Sequence, residues 1–160
     1  MWLSKETFQT IVASTPLFSI DLIVRNAKGE ILLGHRLNRP ALGFWFVPGG
    51  RILKNESLDS AFMRICMAEL GTCYARKYAR LLDLYQHFYK DSVFGEEPDT
   101  HYIVAGYLLD IKDTDVLLLP DTQHSQFRWM HPDDIKNNSS VHPHTLAYLE
   151  AVANHQRKGF

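Results

Sequence analysis

The sequence predicts a single α/β domain, a mixed β-sheet with helices on its faces. Three observations lead there. Strand-like segments occur both as a hairpin and separated by a helix, which points to a mixed sheet. One segment, 57–70, carries the apolar period of an amphipathic helix. No internal repeat or linker interrupts the 160 residues, a length that suits one domain and buries a sizeable core without staples.

Each element has local grounds. Ser4 can cap a short helix with Phe8, Ile11 and Val12 on one side, and Pro16 ends it. Leu17 to Val24 reads as a strand, largely apolar but carrying Asp21. Asn26-Ala27-Lys28-Gly29 is turn chemistry, and Glu30 to Arg36 returns as the second strand of a hairpin. A Pro-containing loop, 37–43, leads to a short aromatic strand, 44–47, which runs into a proline–glycine turn at 48–50. The helix 57–70 places Leu58, Ala61, Phe62, Ile65 and Cys66 on one face, and Gly71 caps its end. Strands are expected at 80–89, 100–109 and 126–130, with loops at 90–99, 110–115 and 120–125 and an apolar run at 116–119. Pro132 can start a brief helix, and 143–153 forms the last one, with Leu146, Leu149 and Val152 inward.

Hydrophobic residues make up 46% of the chain, including nine Phe, seven Tyr and three Trp, so a packed core is expected rather than disorder. With 17 basic against 18 acidic residues, there is no whole-domain field for nucleic acid or a membrane surface. Cys66 and Cys73 lack metal-type spacing and suggest a reducing compartment. The N-terminal segment has no apolar signal-type core, and no apolar run approaches membrane-spanning length. The expectation is a soluble cytoplasmic protein.

The chemistry concentrates between Pro48 and Gly71. With roughly 100° of rotation per helical residue, Glu69 falls in the middle of the stripe formed by Leu58, Phe62 and Ile65. A carboxylate there must be paired, protonated or bound to a metal. It also lies near the helix C-terminus, where the macrodipole disfavours negative charge. The glycines at 49 and 50 allow backbone to approach a ligand closely, and Arg51 can hold a phosphate.

The spacing Gly50, five residues, Glu56, seven residues, Arg64, then Glu69 and Gly71 resembles the Nudix box, G-x5-E-x7-R-E-U-x-E-E-x-G-U, where U is a bulky aliphatic residue. Ile65 and Ala68 stand where the box has glutamates, and Cys66 and Thr72 depart less seriously. The resemblance implies the Nudix fold, a mixed sheet sandwiched between helices, as one domain over 1–160 with a divergent box at 50–71. With carboxylates missing at 65 and 68, the helix suits one Mg²⁺ that keeps waters and takes phosphate ligands, and a base must come from elsewhere.

The segments NRPALGFWFVPGGR, MAELG, QHFYKD, THYIV and LLLPDTQHSQFRW extend the resemblance, over nearly the whole chain, to the GDP-mannose mannosyl hydrolase family of divergent Nudix enzymes. That resemblance implies hydrolysis of GDP-mannose or GDP-glucose to GDP and free sugar, by water attack at the anomeric carbon with inversion. It implies one Mg²⁺ per subunit, with Mn²⁺ as a possible substitute, held by the Gly49 carbonyl, the Glu69 carboxylate and the Gln123 side chain. His124 is the implied general base and Arg36 the partner of the departing diphosphate. Arg51, Arg64, His87 and Tyr102 match substrate-binding positions. Asp21 in an apolar strand suits an edge position or a core salt bridge, and the resemblance makes it a sugar-side or arginine-orienting contact. Glu56 is read as structural, capping the helix or pairing with Arg64. The remaining histidines, His142 and His144 among them, show no ligand spacing and read as ordinary. A homodimer is also implied.

Overall fold

The structure, a computed structural model, describes residues 2–120 and 124–156, with only the backbone given at 124 and 125. Helix α1 (Lys5–Ser14) begins where Ser4 Oγ accepts the Thr7 N–H and ends at Thr15, ahead of Pro16. Strands β1 (Leu17–Arg25) and β2 (Ile31–Arg36) form the expected hairpin. Asn26 closes its turn by accepting the N–H groups of Lys28 and Glu30 on Oδ1. Next come β3 (Trp45–Phe46), β4 (Gly49–Arg51) and α2 (Leu58–Leu70). After a short helical turn (Arg76–Tyr78), β5 (Arg80–Tyr89) and β6 (Thr100–Asp110) pair antiparallel. The chain finishes with β7 (His124–Met130), α3 (Pro132–Lys136) and α4 (His144–Ala153).

The sheet is mixed, in the order β3-β2-β1-β6-β5, with β4 joined to β1 and β7 to β2. Strand β1 is central. It runs parallel to β6 along its full length. Its other edge is shared: β2 takes the C-terminal end and β4 the N-terminal half. Alternation along β1 then sorts side chains between two cores. Ile20, Leu22 and Val24 pack with Ala61, Phe62, Ile65, Cys66 and Leu70 of α2. Ile23 packs on the opposite face with Ile135 of α3 and Tyr148, Leu149 and Val152 of α4. This is the helix–sheet–helix sandwich the sequence predicts. Among the described residues, no helix is long and apolar enough to cross a membrane.

Three local expectations need correcting. The glycines at 49 and 50 do not make a tight turn. They lie in β4, extended against Asp21 and Ile20. Glycine is needed there because a Cβ on residue 49 would collide with the Asp21 carboxylate and the Ile20 carbonyl. Leu58 is 41% exposed, because it begins α2 before the helix has reached the sheet. Leu146 is 43% exposed, and the inward face of α4 is instead Thr145, Tyr148, Leu149 and Val152. The apolar run 116–119 forms no strand. It crosses the end of α2, where the Leu118 N–H bonds the Leu70 carbonyl at 2.9 Å. Gly71 has φ 66°, and a Cβ there would strike the Leu118 backbone, so both cap geometry and this crossing require glycine.

One charged cluster locks the end of the sheet. Arg25 and Asp110, at the register-matched ends of β1 and β6, form a bidentate pair at 2.6 and 3.1 Å. Both side chains are nearly inaccessible, at 8% and 2%. Arg25 also donates to the His155 carbonyl and Arg80 to that of Gln156, which ties down the chain after α4. Removing one partner strands the other charge. Asp110→Ala should therefore lower stability by about 3–5 kcal/mol, read as a reduced urea midpoint with an unchanged transition slope.

Candidate active site

Eight of the ten residues singled out for chemistry line one cavity of about 530 Å³: Asp21, Arg36, Gly49, Arg51, Arg64, Glu69, His87 and Tyr102. They come from five strands and one helix, so the fold assembles the site. Of the other two, Gln123 lies outside the described residues. His124 begins β7 opposite Arg36, and its side chain lies outside them too.

Glu69 occupies the last turn of α2, within the buried stripe, and is 5% exposed. Asp21 approaches from β1 and is 7% exposed. It is not an edge residue, because β1 is flanked on both sides, and among the described residues it joins no salt bridge; its carboxylate instead accepts from the Tyr148 hydroxyl at 2.5 Å. Burial pushes the Asp21 carboxyl up to about 7, against the opposing pull of the Tyr148 hydrogen bond and the Arg36 charge.

The arginines are pre-arranged by the backbone around them. Arg64 Nε and Nη2 grip Glu56 at 2.6 and 3.0 Å, and Nη2 also donates to the Arg51 carbonyl at 2.8 Å. Glu56 in turn accepts the Leu53 N–H. Its carboxyl is held below the ordinary value, chiefly by Arg64. The pairing half of the Glu56 expectation holds, whereas the cap is Ser57, whose Oγ accepts the Ser60 N–H. Arg36 donates from Nε and Nη2 to the Pro40 carbonyl. The Arg51 guanidinium lies over the Phe8 ring of α1, 4.7 Å from its centroid.

Sequence reasoning missed an aromatic wall behind these groups. His87 is buried and stacks on His144 with centroids 4.2 Å apart and planes 1° from parallel. His142 lies 4.6 Å from His144, and Tyr89 packs on both. Burial and the neighbouring rings push His87 down to about 3 and His142 down to about 4. His87 is thus a neutral imidazole at ordinary pH. Histidines two apart at the start of a helix carry no spacing signal, so nothing in the sequence marked His142 and His144.

A divalent cation fits the donors present. Glu69 and Gly49 both line the cavity, and a carboxylate and a backbone carbonyl are hard oxygen groups that could hold such an ion. Among the described residues, no group of three or more His, Cys, Asp or Glu side chains is arranged to hold a metal ion.

Comparison with known proteins agrees with this fold. The NUDIX domain model matches residues 15–149. The chain belongs to the Nudix family. Nudix hydrolases generally use divalent metal ions. The Low-salt glycan biosynthesis protein Agl8 of Haloferax volcanii is 36% identical over 147 residues, covering 92% of this chain and 88% of that protein. The MutT NUDIX hydrolase from Burkholderia pseudomallei superposes with a TM-score of 0.69 at 26% identity, covering 87% of this chain and 99% of that one. The MutT protein from Methanosarcina mazei Go1 shares the fold, with a TM-score of 0.70 at 19% identity over 91% of this chain and 99% of that one.

The buried rings make stability depend on acid. Native His87, His142 and His144 have depressed pKa values, so between about pH 6.5 and 4 the unfolded chain binds more protons through them. Asp21, raised to about 7, acts oppositely over the same window. Three histidines against one aspartate leave a net loss of stability as pH falls below about 6.5. Urea midpoints at pH 7, 6 and 5 should decline, and Asp21→Asn should steepen the decline.

Proposed function

We propose that this Nudix chain hydrolyses a GDP-sugar, GDP-mannose or GDP-glucose, to GDP and the free sugar by water attack at the anomeric carbon with inversion. One observation carries the reading. The box helix turns residues 65, 68 and 69 toward the cavity, and only Glu69 is a carboxylate. A cluster of helix carboxylates able to gather several metals around a water attacking phosphorus is missing. The name of the relative at 36% identity, which speaks of glycan biosynthesis, fits a sugar-directed reaction.

The roles follow from chemistry. Glu69, the Gly49 carbonyl and Gln123 hold one Mg²⁺, for which Mn²⁺ can substitute. Bound there, the cation supplies charge neutralisation to the departing diphosphate. Arg36 and Arg51 add guanidinium charge to the same oxygens. Arg64, gripped by Glu56 and the Arg51 carbonyl, fixes the backbone that presents Arg51 and borders the phosphate region. His87 and Tyr102 hydrogen-bond around the phosphates, and Asp21 faces the sugar. His124 takes a proton from water as the water oxygen bonds the anomeric carbon. The bond from that carbon to the β-phosphate oxygen breaks, and its electron pair leaves with GDP. Base and leaving group act on opposite faces of the carbon, which gives inversion.

Hydrolysis in ¹⁸O-water tests the site of attack. Label is expected in the free sugar. Label in a phosphate overturns the proposal in favour of a pyrophosphatase that yields a nucleoside monophosphate and a sugar phosphate. His124→Gln should lower turnover by about 10²–10⁴-fold with GDP affinity retained. An absence of wild-type turnover across a panel of nucleotide sugars would instead mark a binding module.

A further inference from the structure

Tyr148 was not marked by the sequence, yet it is among the largest fully buried side chains. Its place is specific. It projects from α4, one of the helices on the second face, toward the central strand, and its hydroxyl donates to Asp21 Oδ2 at 2.5 Å. That length belongs to a hydrogen bond assisted by charge. The ring is held from the side by Tyr85, with centroids 4.7 Å apart and planes at 83°. Strand β6 makes room for it. Gly106 is the residue paired with Asp21, and a Cβ there would come within 2.9 Å of Tyr85 and 3.0 Å of Tyr148. The same hydroxyl lies 3.5 Å from His87 Nε2.

The other end of the Asp21 carboxylate is equally constrained. Oδ1 sits against Gly49, on the wall that Gly49 and Glu69 contribute to the cavity. An aspartate side chain has two torsions to fix. Its Oδ2 is held by Tyr148 from behind, and Gly49 leaves space only for the carboxylate itself. We infer that Tyr148 is a positioning residue: it locks Asp21 so that Oδ1 is presented to the sugar end of a nucleotide-sugar substrate. The inference rests on the GDP-sugar reading and extends it, because it gives sugar alignment to a residue outside the Nudix box and outside the cavity wall. Tyr148 itself touches no ligand and acts through Asp21.

The test is a double-mutant cycle on the full chain with Mg²⁺, using Tyr148→Phe, Asp21→Asn and the double variant, assayed for GDP-mannose hydrolysis and for GDP binding by calorimetry. Tyr148→Phe keeps the ring and its packing on Tyr85 and removes only the hydroxyl. The expected result is a loss in kcat/KM of about 10- to 100-fold, the range for a hydrogen bond to a charged group, with GDP affinity unchanged. The double variant should be no worse than Asp21→Asn alone. Unchanged GDP affinity also shows that the variant folds and keeps its nucleotide site. Three results would overturn the inference: wild-type kinetics in Tyr148→Phe, losses that multiply in the double variant, or a matching fall in GDP affinity. Wild-type protein without GDP-sugar turnover would overturn the functional reading, and the inference with it.

Discussion

Strand β1 governs this molecule through the unequal use of its two edges. One edge is bonded to β6 from Leu17 to Arg25 without interruption. The other is divided between β2 and β4. Had β2 continued along the whole edge, Asp21 would face a neighbour with a side chain. Because β4 takes over there, Asp21 faces Gly49, and the missing Cβ leaves the space in which a carboxylate and a ligand can meet. Helix α2 follows β4 directly and is anchored by Phe62, Ile65 and Leu70 in the core, which brings Glu69 to the same wall. At the far end of β1, the buried Arg25–Asp110 pair keeps the β1–β6 register. A slip by one residue would exchange the two faces of the strand and move Asp21 into the core beneath α2.

The cavity gathers charge at positions where burial alone would forbid it. Two carboxylates, Asp21 and Glu69, and four arginines, Arg36, Arg39, Arg51 and Arg64, share its walls, and Arg39 pairs with Asp91. Each arginine has backbone or carboxylate partners, or an aromatic ring beneath it, before any ligand arrives. Such prior ordering would reduce the entropy lost on binding the proposed diphosphate. The neutral rings of His87, His142 and His144 back this wall without adding positive charge. Their lowered basicity makes them weaker proton acceptors than an ordinary imidazole, in keeping with the proposal of His124 as the base.

Much of this was legible in the sequence because it rests on broken rules. Glu69 stood out as a carboxylate in an apolar stripe, and the spacing from Gly50 to Gly71 turned one anomaly into a family signature. The hairpin turn at Asn26, the caps at Ser4 and Gly71 and the mixed sheet followed from local chemistry. What escaped prediction obeys ordinary rules while doing something more. Tyr148 on the inner face of a helix reads as packing, and its hydrogen bond spans 127 residues of chain. His142 and His144 gain meaning only when β5 brings His87 alongside. Pro48-Gly49-Gly50 looks like a turn because nothing local reveals that β1 has a free edge for it. Leu58 and Leu146 were placed inward by periodicity, which does not say where along a helix the sheet begins.

In the proposed reaction, the divergent box helix keeps a single metal-binding carboxylate, Glu69. Titration of Mn²⁺ into the metal-free protein, followed by electron paramagnetic resonance, tests it most directly. One tight site per chain is expected, weakened by at least about tenfold in Glu69→Gln. Two or more tight ions per chain, or an undiminished site in Glu69→Gln, would contradict it.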